Sequence, residues 1–308
     1  MKIYLAVSTA DIFSLMVRCG VENILVSYFY IIKSKKFHEV IKQSKEANSN
    51  LSIMLDSGAH SIQTVGKKQN YNAFFKEYVK YLKKYSYLYD QFVELDIENV
   101  VGLKIVEVYR KILEKYIGNP IVVWHCMRGW DYWLHMIKKY KYVGFSGFIR
   151  KGKKEVPIDY IGKFLNAAKQ NGTKTHGFGI TSPKMLNRFN WDSVDSSSWL
   201  QQARTGSVSV PSNIVDKCHC KNLSRIVVSN KQLSNKDHIR ALPKFVRAKI
   251  IDYLKEIGQS YFGDKSRFDL SCISTDYKSR FEVNLIYYMK LQKEINDRKK
   301  EVRLNTLV

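Results

Sequence analysis

Up to residue 206, short apolar runs alternate with longer stretches whose apolar positions recur at helical spacing. The runs are Lys2–Val7, Asn23–Tyr30, Leu51–Leu55, Phe92–Asp96, Pro120–Cys126, Tyr142–Phe148, Thr175–Ile180 and Trp191–Asp195. Each is rich in Val, Ile, Leu or aromatic residues and has the length of a buried strand. Between them, Tyr71–Leu88 sets Phe74, Phe75, Tyr78, Val79 and Leu82 on one helical face, with lysines on the other. Gly102–Tyr116 and Val156–Gln170 follow the same pattern, and Pro157 sits near the start of the latter, where proline is tolerated. Strands alternating with helices predict an α/β fold with a parallel sheet. Eight is the number that closes a (β/α)8 TIM barrel; a doubly wound open sheet is the alternative. The first run is followed by STAD rather than a glycine-rich phosphate fingerprint, which weakens a dinucleotide-binding reading.

The pattern changes after Gly206. Ser207–Ile239 is polar and turn-rich, and Leu242–Gly258 and Arg280–Val302 read as amphipathic helices loaded with Lys and Arg. The expectation is a catalytic barrel over 1–206 and a basic, mainly helical C-terminal extension over 207–308, packed on the barrel.

Charge narrows the partners. Fifty-one Lys and Arg against 28 Asp and Glu give the 308-residue chain a net charge of +23, well beyond what solubility requires. Such an excess predicts a polyanionic partner, nucleic acid first and an anionic membrane surface second. No run approaches the roughly 18 apolar residues of a spanning helix. Met1–Leu15 contains Asp11 and has only Lys2 as a basic start, so it does not read as a signal peptide. Five scattered cysteines do not make a disulfide framework, which predicts a reducing, cytoplasmic location.

Candidate chemistry lies where the runs end. Leu51–Leu55 leads into Asp56-Ser57-Gly58, Phe92–Leu95 into Asp96, Ile121–Trp124 into His125, and Tyr142–Val143 into Gly144-Phe145-Ser146-Gly147. Thr175–Ile180 carries His176, Gly177 and Gly179, and the eighth run ends in Asp195. In a barrel these ends meet at one mouth. Carboxylates accept from ring N–H and amino groups, glycines let backbone amides approach, and Phe145 is placed to stack, so the set suits a flat, hydrogen-bonding heterocycle. The plainer alternative is that Asp192 and Asp195 solvate a turn and that His176 is a satisfied core histidine.

On these motifs the chain resembles the tRNA-guanine transglycosylase family, including relatives that place 7-deazaguanines in DNA. DSGAHS at 56–61 is similar to that family's D-S-G-G-F-Q, VGFSGF at 143–148 to its base-binding loop, and HGFGITSP at 176–183 to its M-G-V-G-T-P. Asp195, Ala203, Arg204 and Gly206 fall at the offsets of F-D-C-V-L-P-T-R-N-A-R-N-G. The resemblance covers about residues 50–210. It implies that Asp195 is a nucleophile attacking C1′ of a guanosine-type nucleotide and that Asp56 is the acid/base for the departing and incoming bases. It makes Asp96 the reader of the base's N–H edge, with Ser57, Gly58, His125, Gly144, Phe145, Gly147 and Gly177 lining the base site. Arg204 would stand beside the nucleic-acid backbone.

The implied reaction replaces guanine with a 7-cyano- or 7-aminomethyl-7-deazaguanine in DNA or tRNA, DNA being favoured as in phage-type members, whose protein would work in the host cytoplasm. It needs no metal or redox cofactor. Departures are Ala59-His60-Ser61 for Gly-Phe-Gln, His125 for a glutamine that reads the base carbonyl, and Gln201 for the first arginine. The family's zinc site survives only as Cys218, Cys220 and a distant His238, with Leu223 at the third cysteine's place, so a structural zinc is the disfavoured alternative. A homodimer is in keeping with the family, although no interface signal is visible. Two other functions compete: a non-catalytic nucleic-acid-binding barrel or partner subunit, and a hydrolase using paired carboxylates.

Overall fold

The structure, a computed structural model, describes residues 1–64, 70–146, 149–150, 153–154, 158–215, 225–234 and 236–305. Its contacts divide the chain into two compact units, residues 1–17 with 22–196 and residues 18–21 with 197–308.

The first unit is a TIM-barrel-like α/β fold. Its strands are β1 (Lys2–Val7), β2 (Asn23–Ser27), β3 (Ser52–Asp56), β4 (Gln91–Phe92), β5 (Val122–His125), β6 (Tyr142–Ser146), β7 (Lys174–Gly177) and β8 (Ser193–Ser196). These eight pair in parallel, in the order β4-β3-β2-β1-β8-β7-β6-β5, and Ile149–Arg150 with Lys153–Lys154 forms a separate antiparallel pair in the same unit. A parallel bridge between Val93 and Ile121 then joins the two outer strands of that order. Helices alternate with the strands as expected. Asn70 starts Tyr71–Tyr85 by accepting from the Ala73 amide at 3.0 Å, and the helix buries Phe75, Tyr78, Val79 and Leu82 on one face. Inside the ring, Tyr4, Leu25, Met54, Val93, Ile121 and Val123 pack together with Ala6, Tyr142 and Phe178 against them. This filling makes the barrel a packed core and leaves chemistry to its ends.

The fourth run is shorter than expected. Glu94 stops it from continuing as a regular ladder, because its side chain, not a main-chain carbonyl, takes the Val123 amide at 2.6 Å. Arg110 grips the same carboxylate twice, at 2.6 and 3.0 Å, with both side chains almost wholly buried. Removing one partner from a buried ion pair strands the other charge. Arg110→Leu is therefore expected to cost about 3–5 kcal/mol, read as a lower urea midpoint, whereas an exposed pair such as Lys36–Asp11 should contribute little.

The second unit has its own core of Val208, Val210, Ile226, Val246, Ile250, Leu254, Ile286 and neighbours. It contains an antiparallel pair, Ser207–Ser209 with Arg225–Val227, and the helices Ser198–Arg204, Lys244–Phe262 and Tyr277–Asn305. Asn284, wholly buried, ties the unit together by accepting from the Ser209 amide and donating to the Trp199 carbonyl. Among the described residues no helix is long and apolar enough to cross a membrane.

Candidate active site

Polar side chains converge at the C-terminal ends of the first unit's strands. Asp56 is the last residue of β3, half-buried, with Ser27 of β2 as its register partner. The turn after it places Gly58 at φ +83°, so the Gly58 amide folds back and donates to Asp56 Oδ2 at 2.8 Å. A β-carbon at residue 58 would lie 2.5 Å from Phe29 Cβ, so glycine is required by backbone and by space alike. Gly58→Ala is expected to cost on the order of 2 kcal/mol and to lower Tm accordingly.

Burial pushes Asp56 up from the usual 3.8 to about 6. The Gly58 amide and the Ser27 hydroxyl pull the other way, while the charges of Asp195 and Asp96 add to the rise. The three expected carboxylates thus share one electrostatic environment, in which Asp56 holds its proton up to about pH 6.

Asp195, in β8, is engaged on both oxygens. Oδ1 accepts from the Gly179 amide at 3.0 Å, and Oδ2 lies 3.1 Å from His176 Nε2. Asp192 plays a different part: it is exposed and accepts from both the amide and the hydroxyl of Thr175, which fastens β7 to the start of β8. Of the two aspartates read as turn-solvating alternatives, Asp192 fits that reading and Asp195 faces the cluster.

Asp96 follows β4, and its Oδ2 lies 2.7 Å from His125 Nε2 at the end of β5. Glu98 and Arg128 complete the group: Arg128 Nε donates to Glu98 at 2.7 Å, and one guanidinium nitrogen lies 3.9 Å from Asp96. Burial disfavours the charged form of His125, but its hydrogen bond to Asp96, which accepts, and the charges of Asp96 and Glu98 outweigh burial and Arg128, so its pKa rises above 6.5. The net bias is toward an imidazolium that balances two carboxylates and one guanidinium. Asp96 and His125 therefore form one hydrogen-bonded pair at the strand ends.

Other expected site residues lie elsewhere. Phe145 is fully buried on the outer side of the sheet, among Trp124, Trp133 and Phe164, so it cannot stack on a base. Gly144 is buried, and its missing side chain makes room for the Phe178 ring, which would meet a β-carbon at 2.3 Å. Gly177 similarly makes room for Ile180 and Trp191. These two glycines admit aromatic and aliphatic side chains, where the base-site expectation had them admitting a ligand. Ser57 is wholly buried. Gly147 falls outside the described residues, as do Cys218 and Cys220. Arg204 belongs to the second unit, exposed at the end of Ser198–Arg204. His238, the distant member of the depleted zinc set, is buried with Nδ1 accepting from the Arg240 amide. Among the described residues no cluster of three His, Cys, Asp or Glu side chains has the arrangement to hold a metal ion.

The sequence pattern did not single out Glu98 and Arg128, and it marked Gly179 as a glycine of the seventh run without assigning it a partner. The first two stand two and three residues beyond Asp96 and His125, a spacing that could have marked them as part of the same strand-end group. His176 is indeed satisfied and buried, but one of its partners is Asp195.

No family model matches the chain, and no curated protein matches it by sequence. Among solved structures, a GH10 endoxylanase retrieved from a sugarcane soil metagenome aligns over 66% of this chain and 78% of that one, at 10% identity and a TM-score of 0.36. A likeness that distant carries nothing about activity or substrate.

Proposed function

We propose that the barrel is a base-exchange transglycosylase that replaces guanine in a polynucleotide, DNA in preference to tRNA, with a 7-deazaguanine carrying a 7-cyano or 7-aminomethyl group. Asp195 attacks C1′, the guanine leaves, and the sugar waits on the carboxylate until the incoming base displaces it. Asp56 protonates the departing base and later takes a proton from its replacement. The His125–Asp96 pair offers a charge-assisted donor toward the base carbonyl and an acceptor toward its N–H edge. The net charge of +23 supports a polyanionic substrate.

The observation that carries this reading is the unequal pairing of two carboxylates at one mouth. Asp56 is raised to about 6 partly by the charge of Asp195, while Asp195 is fixed by a backbone amide and an imidazole. Two acids in such different surroundings divide naturally into a proton carrier and a nucleophile.

The test is to mix the protein with an oligonucleotide and labelled guanine or 7-deazaguanine, for DNA and for tRNA, and to look for label in the polymer and a protein–oligonucleotide adduct by mass spectrometry. Incorporation supports exchange and identifies the polymer. Free base released without incorporation would instead indicate a hydrolase, and binding without either would indicate a non-catalytic barrel.

A further inference from the structure

His176 is wholly buried, yet both of its ring nitrogens are engaged: Nδ1 lies 2.6 Å from Ser193 Oγ and Nε2 lies 3.1 Å from Asp195 Oδ2. The Ser193 hydroxyl, itself 1% exposed, also meets the hydroxyl of Tyr142. Burial drives the Tyr142 phenol well above its ordinary value of 10, against the opposing hydrogen bond of Ser193, so it keeps its proton. Phenol, hydroxyl, imidazole and carboxylate thus form one line, running from β6 through β8 and β7 and back to β8.

The inventory of protons gives this line a direction. An ionised carboxylate only accepts, so His176 Nε2 must carry the proton that faces Asp195. In the neutral ring Nδ1 is then bare and accepts from Ser193 O–H, whose oxygen in turn accepts from Tyr142 O–H. Every donor is used once, and each points toward Asp195. The opposite tautomer would set a bare Nε2 against a carboxylate oxygen, two acceptors at hydrogen-bond distance in a buried place. Tyr4 and Phe178 hold the ring edge-on from two sides, so it has no freedom to turn away.

We infer that His176 is the positioning residue of the nucleophile. It pins Oδ2 from the buried side while the exposed Gly179 pins Oδ1, and so decides which oxygen meets the sugar. The inference rests on the transglycosylase reading. In the first displacement an Oδ1 electron pair forms the bond to C1′ as the bond from C1′ to the base nitrogen breaks, with that pair leaving on the base. Oδ2 becomes the ester carbonyl and still accepts from Nε2–H. In the second displacement the incoming base nitrogen bonds to C1′, and the C1′–Oδ1 pair returns to the carboxylate. Half of the returning charge falls on Oδ2, where the His176 hydrogen bond is waiting in a site shielded from water. No proton moves along the line; its use is to keep Nε2–H aimed.

Two variants and one spectrum test this. His176→Met fills the space without a donor, and His176→Gln offers an amide that donates to Asp195 and accepts from Ser193. The expected result is that Met lowers kcat on the order of 10²-fold, makes the covalent adduct accumulate, and changes KM for the incoming base little. Gln is expected to recover a substantial part of that loss. In wild-type protein labelled with ¹⁵N-histidine, His176 is expected to show the Nε2–H tautomer with a slowly exchanging proton. A Met variant that folds and keeps the wild-type kcat overturns the inference, as do Gln and Met losing activity equally. An Nδ1–H tautomer overturns it even in a protein without activity. Absence of exchange and of adduct in wild type sinks the transglycosylase reading itself, a result the histidine spectrum distinguishes from a failure of His176 to position Asp195.

Discussion

Asp195→Asn is expected to abolish base exchange, by at least about 10⁴-fold, while the protein still folds and still binds its polynucleotide. The substitution changes almost no volume. The asparagine carbonyl can still accept one of the two hydrogen bonds now made to Asp195, from the Gly179 amide or from His176. The amide NH2 must then face the other donor, which costs about 1–3 kcal/mol of stability and lowers Tm modestly. The loss of rate has a different origin. An amide oxygen has neither the charge nor the basicity to form an ester at C1′, so no sugar can be stored between the two displacements. The checks are label incorporation, adduct mass and a gel-shift affinity measured on one preparation. Exchange persisting within about a hundredfold of wild type would mean that another group is the nucleophile, whereas lost binding with no exchange in either protein would favour the binding-barrel alternative.

The ring of strands could be read from the sequence because a parallel barrel needs eight apolar runs of similar length at regular intervals, and the runs from Lys2 to Asp195 supply them. The same property hid which side chains face inward. Strands buried on both faces carry no polar alternation, so in Tyr142–Ser146 the pattern could not say that Phe145 points outward to Trp124 and Trp133. Gly144 and Gly177 were recognisable as places of close approach, but not as places where Phe178 and Trp191, rather than a ligand, do the approaching. The strand-end aspartates were legible because each closes an apolar run. Their partners were not, because Ser193 stands opposite His176 through the register of two strands separated by a whole helix, and Arg110 reaches Glu94 from a helix that follows it. Such pairings depend on the closed fold and have no local signature.

Asp56 should divide the reaction into two halves with opposite pH dependence. In the free protein its carboxyl sits at about 6, raised first by burial, with the charges of Asp195 and Asp96 adding to the rise. Formation of the adduct uses the protonated form, so its single-turnover rate is expected to fall as pH rises through about 6. Resolution of the adduct by the incoming base uses the ionised form, so that rate rises with pH. Its midpoint should lie lower, because esterified Asp195 carries no charge and one of the raising contributions is gone. Asp56→Asn removes both limbs and should slow adduct formation by about 10²–10⁴-fold. Stability moves in a direction that a merely structural carboxylate would not produce. The folded state holds the proton more tightly than the unfolded one, so this group's contribution is fully favourable below about pH 3.8 and is lost as pH rises through about 6. Above that, ionised Asp56 costs the fold on the order of 3 kcal/mol. Asp56→Asn, whose side-chain oxygen can still accept from Gly58, should therefore be more stable than wild type at pH 8 and should lose that advantage by pH 4. Urea midpoints across this range measure it. A variant destabilised equally at both ends would show that Asp56 holds the β3 turn together and carries no displaced proton.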